Sequence, residues 1–245
     1  MNAKATDLLG VQSDGTVLML TLNRPAARNA LNLALTEALI DAMHRFEADQ
    51  SLRVLIVTGA DPAFCAGLDL NDFSAPDAPR TRVADMIDMW PRLTKPVIAA
   101  VNGAAVTGGL ELAMGCDFII ASERARFADT HTKIGALAGG GMTARLPYIV
   151  GPRWAKQFSL TSDPIDAATA LRIALVNEVV SHDQLMERAA SLAKTIASRR
   201  PELVATVKRV IDQGALASLE EALRIEKAAL AQRKQSGGMA WQVGK

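Results

Sequence analysis

Apolar positions fall into short continuous runs and longer helical stripes. Residues 17–22 read VLMLTL, a run that suits a buried strand, and Asn23-Arg24-Pro25 ends it. Over residues 33–46, Leu35, Leu39, Met43 and Phe46 recur at three- and four-residue steps. That spacing predicts an amphipathic helix with Asn32 as its N-cap. Residues 54–57, 96–101 and 118–121 are further strand-like runs, the first closed by Thr58-Gly59. The segment 74–80 (SAPDAPR) predicts a loop, because its prolines and polar residues suit neither helix interior nor inner strand. It leads into a helix over 81–90. Ser181 with Gln184 and Ser218 with Glu221 are capping-box patterns, predicting helices to about Arg199 and Arg233, with another starting at Pro201. No strand pattern follows Val179. Strands alternating with helices, then helices alone, predict an α/β core with mostly parallel strands and a helical tail.

Composition narrows the function. The chain has 245 residues, 49% hydrophobic and 22% charged, which fits a globular protein with a sizeable core. A net charge of +1 and 4% aromatic residues argue against a nucleic-acid binder. Two cysteines, Cys65 and Cys116, make no disulfide framework and suit a reduced, cytoplasmic setting. The three histidines, His44, His131 and His182, show no metal-ligand spacing, so no metal is expected. The opening MNAKATDLLG lacks a signal-peptide core. The most apolar window, 97–116, is broken by glycines, Asn102, Thr107 and Glu111, so no membrane span is expected.

Two segments could carry chemistry. Phe64-Cys65-Ala66-Gly67-Leu68-Asp69-Leu70 follows a strand, and its small residues let backbone approach a ligand. The plainer alternative is a strand-to-helix turn with Asp69 near the helix start. Gly103-Ala104-Ala105-Val106-Thr107-Gly108-Gly109-Leu110-Glu111 runs from a strand into a helix. First-turn N–H groups lack an internal partner and suit an anion or developing oxyanion. Glu111 shares a helix face with Gly108. It could be a favourable first-turn charge, yet its neighbours Leu110, Leu112, Ala113 and Met114 are apolar, and a carboxylate there needs a reason.

These motifs also occur in a telling order. Asn23-Arg24-Pro25, Arg28-Asn29-Ala30-Leu31, the segment 64–70, Lys95-Pro96 through Asn102-Gly103, Thr107 through Ala113, Cys116-Asp117, Gly139-Gly140-Gly141, Arg145-Leu146-Pro147, Gly151 and the run 170–180 span nearly the whole chain. Together they resemble the crotonase (enoyl-CoA hydratase/isomerase) superfamily. The resemblance implies a crotonase-like spiral of ββα units over residues 1–180 and a helical trimerisation region over 181–245, giving a homotrimer or a hexamer. It implies an acyl-CoA thioester as substrate, with CoA part of the substrate and no separate cofactor. The Leu68 and Gly108 N–H groups would form the oxyanion hole. Ala63, Cys65, Ala66 and Asp69 would line the CoA side, with Arg28 near the phosphates. The family also places aromatic and basic residues at the C-terminus, where Trp241 and Lys245 stand here.

The acid–base pair decides the reaction. Hydratases of the family use two glutamates, the second twenty residues after the first. Glu111 fills the first position, and an ungapped count puts His131 at the second. Three readings of His131 stay open: an acid–base group oriented by Asp129, a pocket-shaping residue beside a lone Glu111, or a structural histidine. An imidazole titrating near ~6.5 suits proton transfer at neutral pH. The leading expectation is hydration of a 2-enoyl-CoA. The alternatives are isomerisation or thioester or C–C hydrolysis in the same pocket, and a non-catalytic acyl-CoA binder. Asp85, Met86, Met89 and Trp90 fall in the segment that covers the acyl pocket in the family, but an ordinary amphipathic helix is the preferred reading of them. His44 and His182 are read as helix-surface residues without chemistry.

Overall fold

The computed structural model describes residues 8–75 and 77–235, so Trp241 and Lys245 lie outside the described residues. The chain divides into two compact units, the first ending at Ser198 and the second starting at Arg199. In chain order the strands of the first unit are β1 (Leu9–Asp14), β2 (Val17–Leu22), β3 (Val54–Gly59), β4 (Ala63–Cys65), β5 (Val97–Val101), β6 (Ala104–Val106), β7 (Phe118–Ser122), β8 (Arg126–Ala128), β9 (Ile165–Asp166) and β10 (Glu178–Val180). Its helices are α1 (Leu33–Ala48), α2 (Arg80–Met89), α3 (Gly108–Gly115), α4 (Met142–Val150), α5 (Pro152–Thr161), α6 (Ala167–Arg172) and α7 (Leu185–Ala197).

The strands form two sheets. The larger has the order β1-β2-β3-β5-β7-β10, and the smaller β4-β6-β8-β9. Pairings are parallel except β1 with β2 and β8 with β9. From β3 to β8 the chain alternates between sheets. β3, β5 and β7 enter the large one, while β4, β6 and β8 enter the small one. Each pair is followed by α2, α3 or α4, so the chain winds as a spiral of ββα turns.

The inner strands of the large sheet are buried on both faces, which explains their continuous apolar runs. In β3, Leu55 and Val57 face the main core, whereas Val54 and Ile56 face a second core under α7. That second core is closed by Leu185, Ala189, Ala193 and Ala197, one stripe of α7 at four-residue spacing. Thus α7, which the sequence reading groups with residues 181–245, packs within the first unit.

α1 forms where its periodicity predicts. Asn32 caps it, the side chain accepting from Leu35 N at 2.9 Å. Leu35, Leu39, Met43 and Phe46 are fully buried, each worth about 1.5–3 kcal/mol of transfer free energy. The second unit is a helical hairpin of α8 (Pro201–Ala215) and α9 (Leu219–Gln235). Glu221 N donates to Ser218 Oγ at 3.3 Å, as the capping pattern predicts. Among the described residues, no helix is long and apolar enough to cross a membrane.

Candidate active site

Three parallel strands of the small sheet end beside one another. β4 runs into Ala66-Gly67-Leu68, β6 into Thr107-Gly108, and β8 into Asp129-Thr130-His131. The spiral therefore delivers three segments, far apart in sequence, to the carboxyl ends of adjacent strands. Loops at that edge of a parallel sheet are a recurrent place for ligands. A cavity of about 550 Å³ opens there, walled in part by Ala66, Leu68, Gly108, Glu111, His131 and Gly140.

Leu68 is held by a parallel bridge to Leu31. Leu31 N donates to Gly67 O at 2.7 Å and Asp69 N to Leu31 O at 3.0 Å. Both bonds pass through the neighbours of Leu68, so its own N–H points away from Leu31. Gly67 has φ +91, and a Cβ there would stand 2.2 Å from Thr107 Oγ1 and 2.8 Å from Val106 O. Glycine thus lets the first segment lie directly on the second. Thr107 adopts φ 45 and ψ −114, a region unusual for a β-branched residue. Its N–H is fixed to Ala128 O at 2.9 Å, and the next residue, Gly108, opens α3 with a first-turn N–H. An ideal Cβ on Gly108 would lie 3.7 Å from Leu68 N, so the two donors stand close together.

Glu111 is 3% exposed on α3. Its Oε1 accepts from Gly140 N and Met142 N, both at 2.9 Å. Those backbone donors let a carboxylate sit in an apolar helix. His131 Nε2 lies 4.0 Å from Glu111 Oε2. Asp129, 2% exposed, accepts from His131 at Nδ1 (2.6 Å) and at the backbone N–H (3.2 Å). The sequence reading brings these side chains together on an extended segment. Instead β8 ends at Ala128, and His131 has helical backbone angles before a 3-10 turn over Thr132–Ile134. The contact is therefore an Asx-type turn rather than a shared strand face.

The electrostatics follow this geometry. Burial would raise the Asp129 carboxyl, but hydrogen bonds from His131 and Ser159 hold it below the usual value. The hydrogen bond to Asp129 raises the His131 imidazole above its usual value. Burial opposes this, and Glu111 adds to it.

The other sequence-derived positions are distributed differently. Ala66 lines the cavity, whereas Ala63 and Cys65 lie inside β4 at 1% and 0% exposure. Burial pushes the Cys65 thiol up to about 12. Asp69 is bound to Arg24 Nη2 at 2.8 Å, and its carboxylate also accepts from Asn71 N. Arg28 is exposed, and its carbonyl accepts from Ala66 N at 3.0 Å, so its backbone is tied to a residue of the cavity wall. His182 joins a separate group, 3.2 Å from Ser122 Oγ and 3.1 Å from Asp61 Oδ2.

Met86 on α2 and Trp90 just past its end point into the core, with Trp90 Nε1 donating to Met86 Sδ. The cavity wall comes from Arg80, Thr81, Val83, Ala84 and Ile87 instead. The i, i+3, i+4, i+7 spacing of Arg80, Val83, Ala84 and Ile87 was the available signal. Among the described residues no group of three His, Cys, Asp or Glu side chains is placed to hold a metal.

The enoyl-CoA hydratase/isomerase family model matches residues 12–239. The chain belongs to this family. A probable enoyl-CoA hydratase of Rhizobium meliloti is 38% identical, covering 98% of this chain and 96% of that protein. A short-chain-enoyl-CoA hydratase of Clostridium acetobutylicum is also 38% identical, over 89% of this chain and 86% of its own. Among solved structures, an enoyl-CoA hydratase from Bacillus anthracis superposes with TM-score 0.88 at 35% identity, covering 91% and 90% of the two chains. One from Mycobacterium tuberculosis H37Rv has 44% identity and TM-score 0.78, covering 93% and 100%. The protein is thus an enzyme of the hydratase/isomerase family with the crotonase fold, and the cavity just described is its candidate active site.

Proposed function

We propose that the enzyme adds water across the double bond of a 2-enoyl-CoA thioester to give a 3-hydroxyacyl-CoA. The observation that carries this reading is the facing pair of Glu111 and His131 in a cavity that also holds the Leu68 and Gly108 N–H groups. The two N–H groups polarise the thioester carbonyl and hold the enolate oxygen that forms. The Glu111 carboxylate takes a proton from water as its oxygen bonds to the β-carbon. The double-bond electrons move toward the thioester oxygen. The His131 imidazolium then gives a proton to the α-carbon as the enolate collapses. Asp129 orients the ring through Nδ1, which leaves Nε2 toward the cavity. The hydratases among the relatives support this reaction over isomerisation or hydrolysis.

We further read the assembly as a homotrimer or a dimer of trimers, and the setting as cytoplasmic. The apolar residues left exposed on α8 and α9 support assembly, and the free thiols of Cys65 and Cys116 support a reducing compartment. The deciding assay is hydration of crotonyl-CoA and longer 2-enoyl-CoAs. Turnover should fall by about 10²–10⁴ in Glu111→Gln. Tight acyl-CoA binding by calorimetry with no turnover at any chain length would mark an acyl-CoA binder instead.

A further inference from the structure

One of the two N–H groups that hold Glu111 comes from a run of three glycines, and the other from Met142 directly after it. Gly139-Gly140-Gly141 has no side chain to fix its backbone, and glycine samples more conformations than any other residue. A side chain at Gly140 would crowd Glu111, because a Cβ would lie 2.8 Å from Glu111 Oε2 and 2.9 Å from Ile87 Cδ1. Order must come from outside the run. Arg145 supplies it from the first turns of α4. Its Nη1 donates to Gly140 O at 3.0 Å. Its guanidinium also folds over Gly141, which has φ +104. A Cβ there would stand 2.9 Å from Nη1 and 3.0 Å from Cζ. The second arm of the guanidinium, Nη2, donates to Asp88 Oδ1 at 2.7 Å.

The hydrogen bonds run in one line, from Asp88 through Arg145 and Gly140 to Glu111. Asp88 lies on α2, the helix whose Val83, Ala84 and Ile87 wall the cavity. α2 is itself tied to α1 by the bidentate Arg82–Glu37 pair, at 2.6 and 2.7 Å. The geometry points to Arg145, anchored by Asp88, as a positioning residue that aims the 140–142 backbone donors at Glu111. It links the carboxylate to the wall of the acyl cavity. This rests on Glu111 acting in the site. A planar guanidinium can serve both partners at once, which a lysine ammonium on a flexible stem does less well.

The test combines kinetics with amide exchange. Arg145→Ala should lower kcat for a 2-enoyl-CoA by about 10–100-fold, since a small misplacement of a reacting group costs on that order. KM should stay within about twofold, because no substrate contact is removed. Asp88→Asn should lower kcat less, and Arg145→Lys should recover part of the loss. In a Glu111→Gln background, Arg145→Ala should cost little more, as expected for residues acting as a unit. Additive losses, or an unchanged kcat, overturn the assignment. If the wild-type enzyme hydrates no substrate, the proposed reaction fails, and amide exchange still decides the positioning role. Exchange of the Gly140 and Met142 N–H groups, followed by NMR, should quicken at least tenfold in Arg145→Ala and measurably in Arg145→Lys. Unchanged exchange in both overturns it.

Discussion

Asp129 and His131 are two residues apart, and the turn between them sets how the site responds to pH. The hydrogen bond to Asp129 is the main reason the imidazole holds its proton above the usual histidine value. With His131 as the proton donor, activity should fall on the alkaline side as the imidazolium deprotonates. His131→Gln should abolish that limb, while Asp129→Asn should move it to lower pH, both read from pH–rate profiles. A limb unmoved by either change would leave His131 a pocket-shaping or structural residue. The same pair affects stability. The raised His131 contributes fully below its ordinary value of 6.5, and its share is lost as pH rises through the raised value. The lowered Asp129 contributes above its ordinary value of 3.8, and its share is lost as pH falls through the lowered one. The melting-temperature gap between wild type and His131→Gln should therefore be widest between about pH 4 and 6.5 and shrink on both sides. Gly140 offers a steric counterpart. Gly140→Ala places a methyl against Glu111 and Ile87, so it should cost about 1–3 kcal/mol in unfolding and lower kcat more than KM changes. Glu111 was legible in the sequence because a carboxylate interrupts an apolar helix. Arg145 stood out only as part of a motif, and its positioning role was not legible, because it lies in Gly140 O and Asp88, contacts that no local pattern encodes.

At the scale of elements, legibility followed length and burial. The runs that became β2, β3, β5 and β7 stand out because both faces of the large sheet are covered. The strands that build the site do not stand out. β4, β6 and β8 have three residues each, too few to show a period of two. The antiparallel β1 was missed too, since most of its residues are exposed. For α2 the helix was legible but its working face was not. Met86 and Trp90 turned to the core, as the preferred amphipathic-helix reading has it, while the smaller Val83 and Ala84, which that reading did not single out, face the cavity. That assignment makes Ala84 a determinant of acyl size. Ala84→Leu fills part of a cavity of about 550 Å³, so kcat/KM should drop for long 2-enoyl-CoAs more than for crotonyl-CoA. A uniform loss across chain lengths would remove Ala84 from the acyl wall. The cap of α1 gives a simpler test. Asn32→Ala removes the bond to Leu35 N and should cost about 1 kcal/mol in denaturant unfolding.

At the scale of the whole molecule, each turn of the spiral adds one strand to each sheet, so the ends of β4, β6 and β8 meet although they lie some sixty residues apart. The second unit follows a different logic. α8 and α9 pack closely on each other, with a Cβ at Gly214 placed only 3.3 Å from that of Ala222. Yet neither helix has a buried residue. Val207, Ile211, Leu216, Leu219, Leu223 and Leu230 are between 46% and 82% exposed. A two-helix unit cannot cover these side chains by itself, and on the trimer reading proposed above they form the association face. A second copy of the chain fits, because equivalent hairpins can bury one another in a closed ring. Ile211→Asp with Leu223→Asp places two charges on that face, where burial in an interface would be costly. Sedimentation equilibrium should then show the assembled wild-type mass reduced to that of one chain, with the circular dichroism spectrum retained. A wild-type protein that is already monomeric, or a variant that assembles unchanged, would refute the hairpin as the association face.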